Sequence, residues 1–517
     1  MAPDSPAVRL GLVVGVLVLV VAFSQVFLPQ VVSWNDEVSY LATASKIGRE
    51  ARISAAVHLP EDILRYGTDH EPIHMPAYMV ALALWLKAFE SSTSVLVLNQ
   101  LLFAAAVVLL HRLLVRPPAS RRAESALALL VLLATPLGLF YASTAMMESF
   151  VLFVGVLWFA AWIRWREQPR GLYGIYLLTA LAVLTRQTLL FLFVAAVLAD
   201  LPKMVSLHRR ALRGRAGVLL VAWAGILAFA CVAAHRRAGY YPNFFTRMGE
   251  VDSLGDKLAM VARNFADNLA QYGNWSEFPH DYFYAYGLAV FAITLVLAFR
   301  GESVERLHAR MLALFWALTL LFTNLVYQNQ NWRSHRLQIV CVLLGSGLIV
   351  ARLCTARSKK LALPGLAGFL ALDLLLGASV LRALAATRVT EQQEHPLTAL
   401  GIARPGDLLF STKDYHFLRE NRDCELMWQV PEDPAELRAL LDKARPRFVI
   451  AGARVDLRAD GYRMHSTIAP TDSVDGEDAV RASQALRDPD DPESARRKRK
   501  RSVSDEPRFL WLRETGS

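Results

Sequence analysis

The sequence reads as an α-helical polytopic membrane protein of about eleven transmembrane helices, followed by a small C-terminal extracytoplasmic α/β domain. Three features carry that reading: an apolar content beyond what a soluble chain needs, apolar runs of bilayer length, and basic residues gathered in alternate loops. Of the 517 residues 54% are apolar and only 20% charged, with a mean hydropathy of +0.31. Soluble domains run at roughly 45–50% apolar and about 25% charged, so the excess calls for a lipid solvent. Stretches such as Leu10–Leu28 and Val95–Leu114 approach the ~20 residues that cross a hydrocarbon core. These observations exclude an ordinary cytoplasmic enzyme, a nucleic-acid-binding module and a disulfide scaffold. The net charge of +10 falls largely in short loops between apolar runs and does not call for a nucleic-acid partner. Cys231, Cys341, Cys354 and Cys424 are too scattered for a disulfide framework. All but Cys424 lie in or beside apolar runs, where cysteine acts as a small hydrophobe.

The predicted spans lie near residues 8–28, 95–115, 124–143, 148–163, 171–185, 187–201, 217–234, 284–299, 311–327, 336–352 and 362–381. The first is long for a signal-peptide core, and no small-residue cleavage site is evident around Ala22–Gln25, so it reads as a retained span. Alternate connections are basic. They hold Arg116, Arg121 and Arg122; Arg164, Arg166 and Arg170; and Lys203, Arg209, Arg210, Arg213 and Arg215. Further on come Arg300, Arg306 and Arg310, then Arg352, Arg357, Lys359 and Lys360. The positive-inside rule places all of these in the cytoplasm, with the N-terminus inside and the C-terminal region outside. The Ala- and Arg-rich usage is that of a high-GC bacterium, and the expected location is then a bacterial inner (plasma) membrane.

On this topology residues 1–381 form the membrane module, with large outer loops at 29–94 and 235–283. Met75–Phe89 is too short to cross and is expected to lie along the interface or pack on the bundle. The second outer loop carries Tyr240, Tyr241, Phe244, Phe245, Tyr272 and Trp275, residue types suited to the headgroup zone. Residues 382–469 read as the α/β domain, with strands at Asp407–Ser411 and Arg447–Ala451 and an amphipathic helix at Pro434–Ala444. Residues 470–517 read as a mostly disordered charged tail with a final strand.

The unusual polar residues stand at the outer ends of the spans. Asp36 and Glu37, in Ser33-Trp34-Asn35-Asp36-Glu37-Val38-Ser39-Tyr40, follow the first span. Helix capping explains them simply: Asn35 caps, and two acids complement the macrodipole. The functional explanation is a general base at the lipid–water boundary. His74 precedes Met75-Pro76, and Pro76 suits the first turn of a helix. Glu148 opens a span, and Arg186 sits in a tight connection between two apolar runs. A charge so near hydrocarbon is costly unless paired, hydrated or bound to a ligand. Arg333, His335 and Arg336 form a further outer cluster. Together these outer carboxylates and arginines suit a site that handles an anionic group at the membrane surface. Asp373 is the exception, standing in the middle of a span.

In this order the motifs resemble the GT-C glycosyltransferases that use polyprenyl-phosphate sugars, the class of protein O-mannosyltransferases and lipid A aminoarabinose transferases. The resemblance rests on Asp36-Glu37 with Tyr40, then His74-Met75-Pro76-Ala77-Tyr78, then Pro136 followed by Glu148, then Leu184-Thr185-Arg186. It spans roughly residues 8–350 and lies in the order of short motifs. His-Met-Pro departs from the common His-Pro-Pro, and relatives often carry Asp at Glu148 and Lys at Arg186. The resemblance implies a polyprenyl-phosphate sugar donor and an extracytoplasmic acceptor. It makes Asp36 the general base and Glu37 an orienting or metal-binding neighbour. Arg186, Arg333 and Arg336 would bind the donor phosphate, with Tyr40, His74, Glu148 and His335 as further site candidates. Some members use a divalent cation and others none. A single displacement at the anomeric carbon inverts it.

The chain shows no Gly-rich phosphate loop, and Asp488-Pro489-Asp490 lies in the charged tail, away from these motifs. Two other classes compete. A secondary transporter places its sites near the midplane, on interrupted helices, which Asp373 alone would suit. A noncatalytic scaffold would tolerate replacement of Asp36.

Overall fold

The computed structural model describes residues 35–70, 72, 75–89, 94–115, 122–165, 171–213, 217–238, 253–272, 280–326, 331–355, 359–386, 404–411, 424–428, 431, 433–452, 455–468 and 508–513. Contacts divide the chain into two compact units, one of residues 1–28 with 96–383 and one of residues 29–95 with 384–517.

The second unit begins with helix α1 (Asn35–Glu50), strand β1 (Val57–His58), α2 (Pro60–Tyr66) and α3 (Pro76–Phe89). The first unit follows, with α4 (Ser94–Leu114), α5 (Arg122–Leu133), α6 (Pro136–Ala142), α7 (Glu148–Trp165) and α8 (Gly171–Thr185). It continues with α9 (Leu190–Ala199), α10 (Leu201–Arg213), α11 (Gly217–Ala238), α12 (Leu254–Tyr272) and α13 (His280–Arg300). Its last helices are α14 (Ser303–Val326), α15 (Asn331–Thr355) and α16 (Lys359–Ala386). Every expected span from residue 95 onward coincides with one of these helices or helix pairs; the span at 8–28 lies outside the described residues. Among the described residues, Ser94–Leu114 and Gln338–Thr355 are long and apolar enough to cross a bilayer alone. Two bent pairs qualify if each counts as one span: Ala123–Leu133 with Pro136–Ala142, bent by 56°, and Gln187–Ala199 with Leu201–Leu212, bent by 98°. The first bend has a local cause. Thr135, directly before Pro136, takes φ −50° and ψ 115°, because a residue preceding proline is sterically driven out of the helical region.

Inside the bundle, glycine brings helices close, as bilayer packing favours. A Cβ at Gly345 would lie 2.6 Å from Val290 Cγ1, and one at Gly155 2.7 Å from Val340 Cγ1. Polar side chains in the apolar interior find partners across helices. Trp158 Nε1 donates to Thr179 Oγ1 at 2.8 Å, and Trp316 Nε1 to Gln338 Oε1 at 3.2 Å. Asp373, expected in mid-span, is fully buried in α16, so it faces protein and not lipid.

The second unit closes with β2 (Leu408–Ser411), β3 (Glu425–Trp428), α17 (Pro434–Ala444), β4 (Phe448–Gly452), β5 (Tyr462–Ile468) and β6 (Arg508–Arg513). The sheet order is β1-β3-β2-β4-β6-β5. The first four strands run parallel, and β6 lies antiparallel to both neighbours. Parallel strands of one sheet need a crossover connection, and α17 supplies the one from β3 to β4, which lie on either side of β2. Asp433 starts that helix by accepting from Ala435 N and Glu436 N, each at 2.9 Å, with Pro434 at its first position. Its apolar stripe, Leu437, Leu440 and Leu441, packs on Phe410, Met427, Val449 and Trp511. The expected strands and helix between 407 and 451 are therefore present.

The sheet extends past the expected domain limits of 382–469. Val57 and His58 pair with Leu426 and Met427 at one end, and Arg508–Arg513 fills the position between β4 and β5. The boundary expected at residue 381 assigned 29–94 to the membrane module, whereas contacts group 29–95 with the C-terminal residues. The physical reason is a shared sheet and core: Ile63 of α2 belongs to the same apolar cluster as Leu408 and Leu440. Of Met75–Phe89, expected at the interface or on the bundle, Pro76–Phe89 forms α3 and packs along α1. Residues 470–507 lie outside the described residues.

Candidate functional site

The candidate residues fall in both units, and each group is built by its own local structure. In the second unit, α1 starts at Asn35, so Asp36 and Glu37 stand in its first turn. The side chain of Asp36 lies outside the described residues, as does His74. Glu37 is buried, and Tyr40, Leu41, Ala44 and Ile47 continue the same buried stripe, at the spacing that keeps one helix face inward. Tyr40 meets Tyr78 of α3 edge-on, ring centroids 5.6 Å apart at 90°. The Glu37 carboxylate, 1% exposed, is held there by structure, since desolvating a charge is costly.

Sequence reasoning missed a polar network beneath this helix. Lys46 of α1 pairs with Glu425 Oε1 of β3 at 2.8 Å and donates to the Ala55 carbonyl at 3.0 Å. His58 Nε2 lies 2.9 Å from Glu425 Oε2, and His58 Nδ1 2.8 Å from His70 Nε2. The network fixes the tautomer: His58 donates from Nε2 to the carboxylate and accepts at Nδ1 from His70. Burial lowers the His58 pKa, with His70 and Lys46 adding to that and the Glu425 hydrogen bond opposing it. For Glu425, burial pushes upward. The hydrogen bonds from His58 and Lys46 and their charges together outweigh it, leaving the carboxyl below its ordinary value. The network therefore anchors the helix that carries Asp36 to the C-terminal sheet.

Both shifts carry the same sign. Folded His58 and folded Glu425 each bind a proton less readily than their unfolded counterparts, so acid favours unfolding. Their contribution is full above about pH 6.5, the ordinary histidine value. It is lost as pH falls through the depressed His58 value and then through that of Glu425. The unfolding midpoint of the full chain in detergent is expected to drop from neutral pH toward about pH 5, and His58→Asn is expected to flatten that slope. A wild-type slope in His58→Asn would contradict the assignment.

In the first unit, Glu148 and Arg186 come together. Arg186 Nη2 lies 2.7 Å from Glu148 Oε1, with the Glu148 side chain fully buried and that of Arg186 12% exposed. Local structure sets both. Asn99 of α4 donates from Nδ2 to the carbonyls of Thr144 and Met146, each at 2.7 Å, clamping the non-helical turn that ends at Glu148. Arg186 terminates α8, its N–H still bonded to Ala182 O at 2.8 Å. Its extended backbone (φ −155°, ψ 127°) leads into the short 3₁₀ turn Gln187–Leu189. The acid begins α7 and the guanidinium ends α8, so each also complements a helix dipole. Pairing answers the expectation that so deep a charge needs a partner. Asn99 was not anticipated, though the adjacent amides Asn99 and Gln100 inside an apolar run are the signal that could have found it.

Arg333, His335 and Arg336 lie in the first turns of α15, and their side chains fall outside the described residues. Among the described residues no group of three or more His, Cys, Asp or Glu side chains could hold a metal ion.

No family model matches the sequence, and no curated protein matches it. Solved structures do. ArnT from Cupriavidus metallidurans, crystallised bound to undecaprenyl phosphate, aligns at a TM-score of 0.51 and 13% identity, over 89% of this chain and 96% of that one. The arabinosyltransferase EmbB from Mycobacterium smegmatis aligns at a TM-score of 0.43 and 14% identity, over 83% of this chain and 41% of that one. The likeness to ArnT is one of fold: this chain is an integral, polytopic membrane protein that shares the fold of ArnT.

Proposed function

We propose that the chain is a membrane glycosyltransferase that moves a sugar from a polyprenyl-phosphate donor to an extracytoplasmic acceptor, whether protein, lipid or envelope glycan. One observation carries the reading: a guanidinium held at the end of an apolar helix by a buried carboxylate, in a fold shared with a protein crystallised on undecaprenyl phosphate. Outside the cytoplasm there is no supply of nucleotide sugars, so an activated sugar has to arrive on a lipid carrier.

In the reaction the acceptor oxygen or nitrogen attacks the anomeric carbon, and the bond from that carbon to the phosphate oxygen breaks. Asp36 takes the acceptor proton. The departing polyprenyl phosphate gains one negative charge, and preplaced cations stabilise it as it forms. Arg186 is the first of these, since its planar fork matches phosphate oxygens; Arg333 and Arg336 are assigned the same role. Glu148 keeps Arg186 charged and aimed. Glu37 and Tyr40 sit one and four residues beyond Asp36 on α1 and are assigned to the acceptor side, together with His74 and His335. One displacement gives inversion. The test is binding: the purified full chain in nanodiscs is expected to bind undecaprenyl phosphate saturably, and absence of binding would count against the reading.

The reading also fixes sidedness. Cysteine labels placed at residues 240–280 or beyond 390 are expected to react from outside intact cells, and labels near Arg121 or Arg213 only after permeabilisation. Protection of the C-terminal residues from an impermeant reagent would overturn the placement of the site.

A transporter is favoured by one observation, the buried Asp373 within α16. That reading predicts flux of an anionic or lipid-linked substrate across sealed vesicles without cleavage, and an Asp373→Asn variant that loses flux.

A further inference from the structure

The bend of 98° after Ala199 turns α10 almost at right angles to the apolar helix before it, and the faces of α10 divide in an unusual way. Met204, Leu207 and Ala211 point inward and pack on Leu172 of α8 and Leu220 of α11. Tyr176 of α8 adds a hydrogen bond to His208 Nε2 at 3.0 Å. At about 100° per residue, Leu201, Val205 and Leu212 form a second strip beside the buried one. They are apolar yet 47%, 40% and 56% exposed. The third sector holds Arg209 and Arg210, both exposed, and the half-buried Lys203. A helix surrounded by water has no reason to present the leucine–valine strip, and one sunk in hydrocarbon would not carry two exposed arginines. A helix lying in the boundary plane satisfies both, with its apolar strip in the acyl region and its basic strip among the headgroups.

We propose that α10 is an in-plane membrane-surface helix and that Arg209 and Arg210 form a binding surface for anionic phospholipid headgroups. Charge complementarity selects that occupant. Arg209 and Arg210 share α10 with no acidic side chain; the acid nearest in sequence, Asp200, precedes the helix at its other end. Anionic lipid then holds in register the cytoplasmic end of α9, the apolar helix that follows Arg186 after the Gln187–Leu189 turn, so the surface acts on the membrane depth of that end of the bundle.

The test uses the purified full chain in nanodiscs of phosphatidylcholine, with or without phosphatidylglycerol. A spin label on Val205→Cys, in a Cys231→Ser background, is expected to be more accessible to oxygen than to a polar nickel reagent. A label on Arg210→Cys is expected to show the reverse. Phosphatidylglycerol retained by the chain in native mass spectrometry is expected to fall in Arg209→Gln/Arg210→Gln by roughly fivefold per charge, the equivalent of ~1 kcal/mol per basic residue at an anionic surface. Arg209→Lys/Arg210→Lys is expected to keep it. Equal aqueous accessibility at both positions would overturn the in-plane placement and show a face left for a protein partner. Unchanged phosphatidylglycerol retention in the glutamine variant would overturn the headgroup site.

Discussion

Asp36→Asn is expected to lower turnover by roughly 10²–10⁴-fold, the usual consequence of removing an acid–base group, with folding and donor binding intact. The substitution keeps the size of the side chain and much of its hydrogen bonding, and Asn is well tolerated at a helix start. If Asp36 served only to cap α1, the same change would cost well under ~2 kcal/mol of stability and leave the rate near normal. The two accounts thus differ in rate and agree on expression. Glu37 beside it is buried in the stripe that packs α1 on α3, so Glu37→Gln is a poorer probe: a loss there mixes chemistry with packing. Full activity in Asp36→Asn, measured on folded protein, would move the base assignment to Glu37 or Glu148 and weaken the transferase reading.

The second large effect is expected at the Glu148–Arg186 pair, and here the structure changes the experiment. The sequence alone suggests that Arg186→Ala leaves a folded protein that has lost its donor. With Glu148 fully buried against the guanidinium, that single change strands a buried carboxylate. Breaking such a pair typically costs ~3–5 kcal/mol. Arg186→Ala is therefore expected to lose stability and donor use together, which identifies neither role. The double variant Glu148→Gln/Arg186→Gln separates them. Two neutral amides hydrogen-bond in the same space, so the thermal midpoint is expected to recover most of the loss. Turnover is expected to stay down by about 10²–10³-fold, the scale for removing one preplaced stabiliser of developing charge. Arg186→Lys is expected to retain part of the rate. Normal turnover in the double variant would contradict a phosphate role for Arg186.

Local signals made the bundle legible. The apolar runs from Val95 to Leu381 declare themselves by composition, whereas 124–143 reads as one span and only the structure shows the break at Thr135 between α5 and α6. The strand–helix–strand segment from Asp407 to Ala451 was equally readable, because alternation and the Asp433-Pro434 start signal are written within a few residues. Long-range pairing was not legible. Val57-His58 is too short to read as a strand, and only its pairing with β3 makes it one. The Lys46–Glu425–His58 network joins residues far apart in sequence, 367 positions in the case of His58 and Glu425. At the site, Glu148 and Arg186 each announced themselves as charges beside hydrocarbon, yet nothing in their spacing says that they pair. Glu37 read as a first-turn acid beside the base, and its burial depends on tertiary packing that the local sequence does not show.

The most direct test of the central claim is turnover of lipid-linked sugar by purified full-length protein reconstituted in lipid. The protein is given a panel of polyprenyl-phosphate sugars together with envelope acceptors, and free polyprenyl phosphate and the anomeric configuration of the product are measured. The account predicts release of polyprenyl phosphate from at least one donor, an inverted product, and loss of both in Asp36→Asn. No release from any donor by protein that is folded and binds undecaprenyl phosphate, or release undiminished in Asp36→Asn, would contradict it.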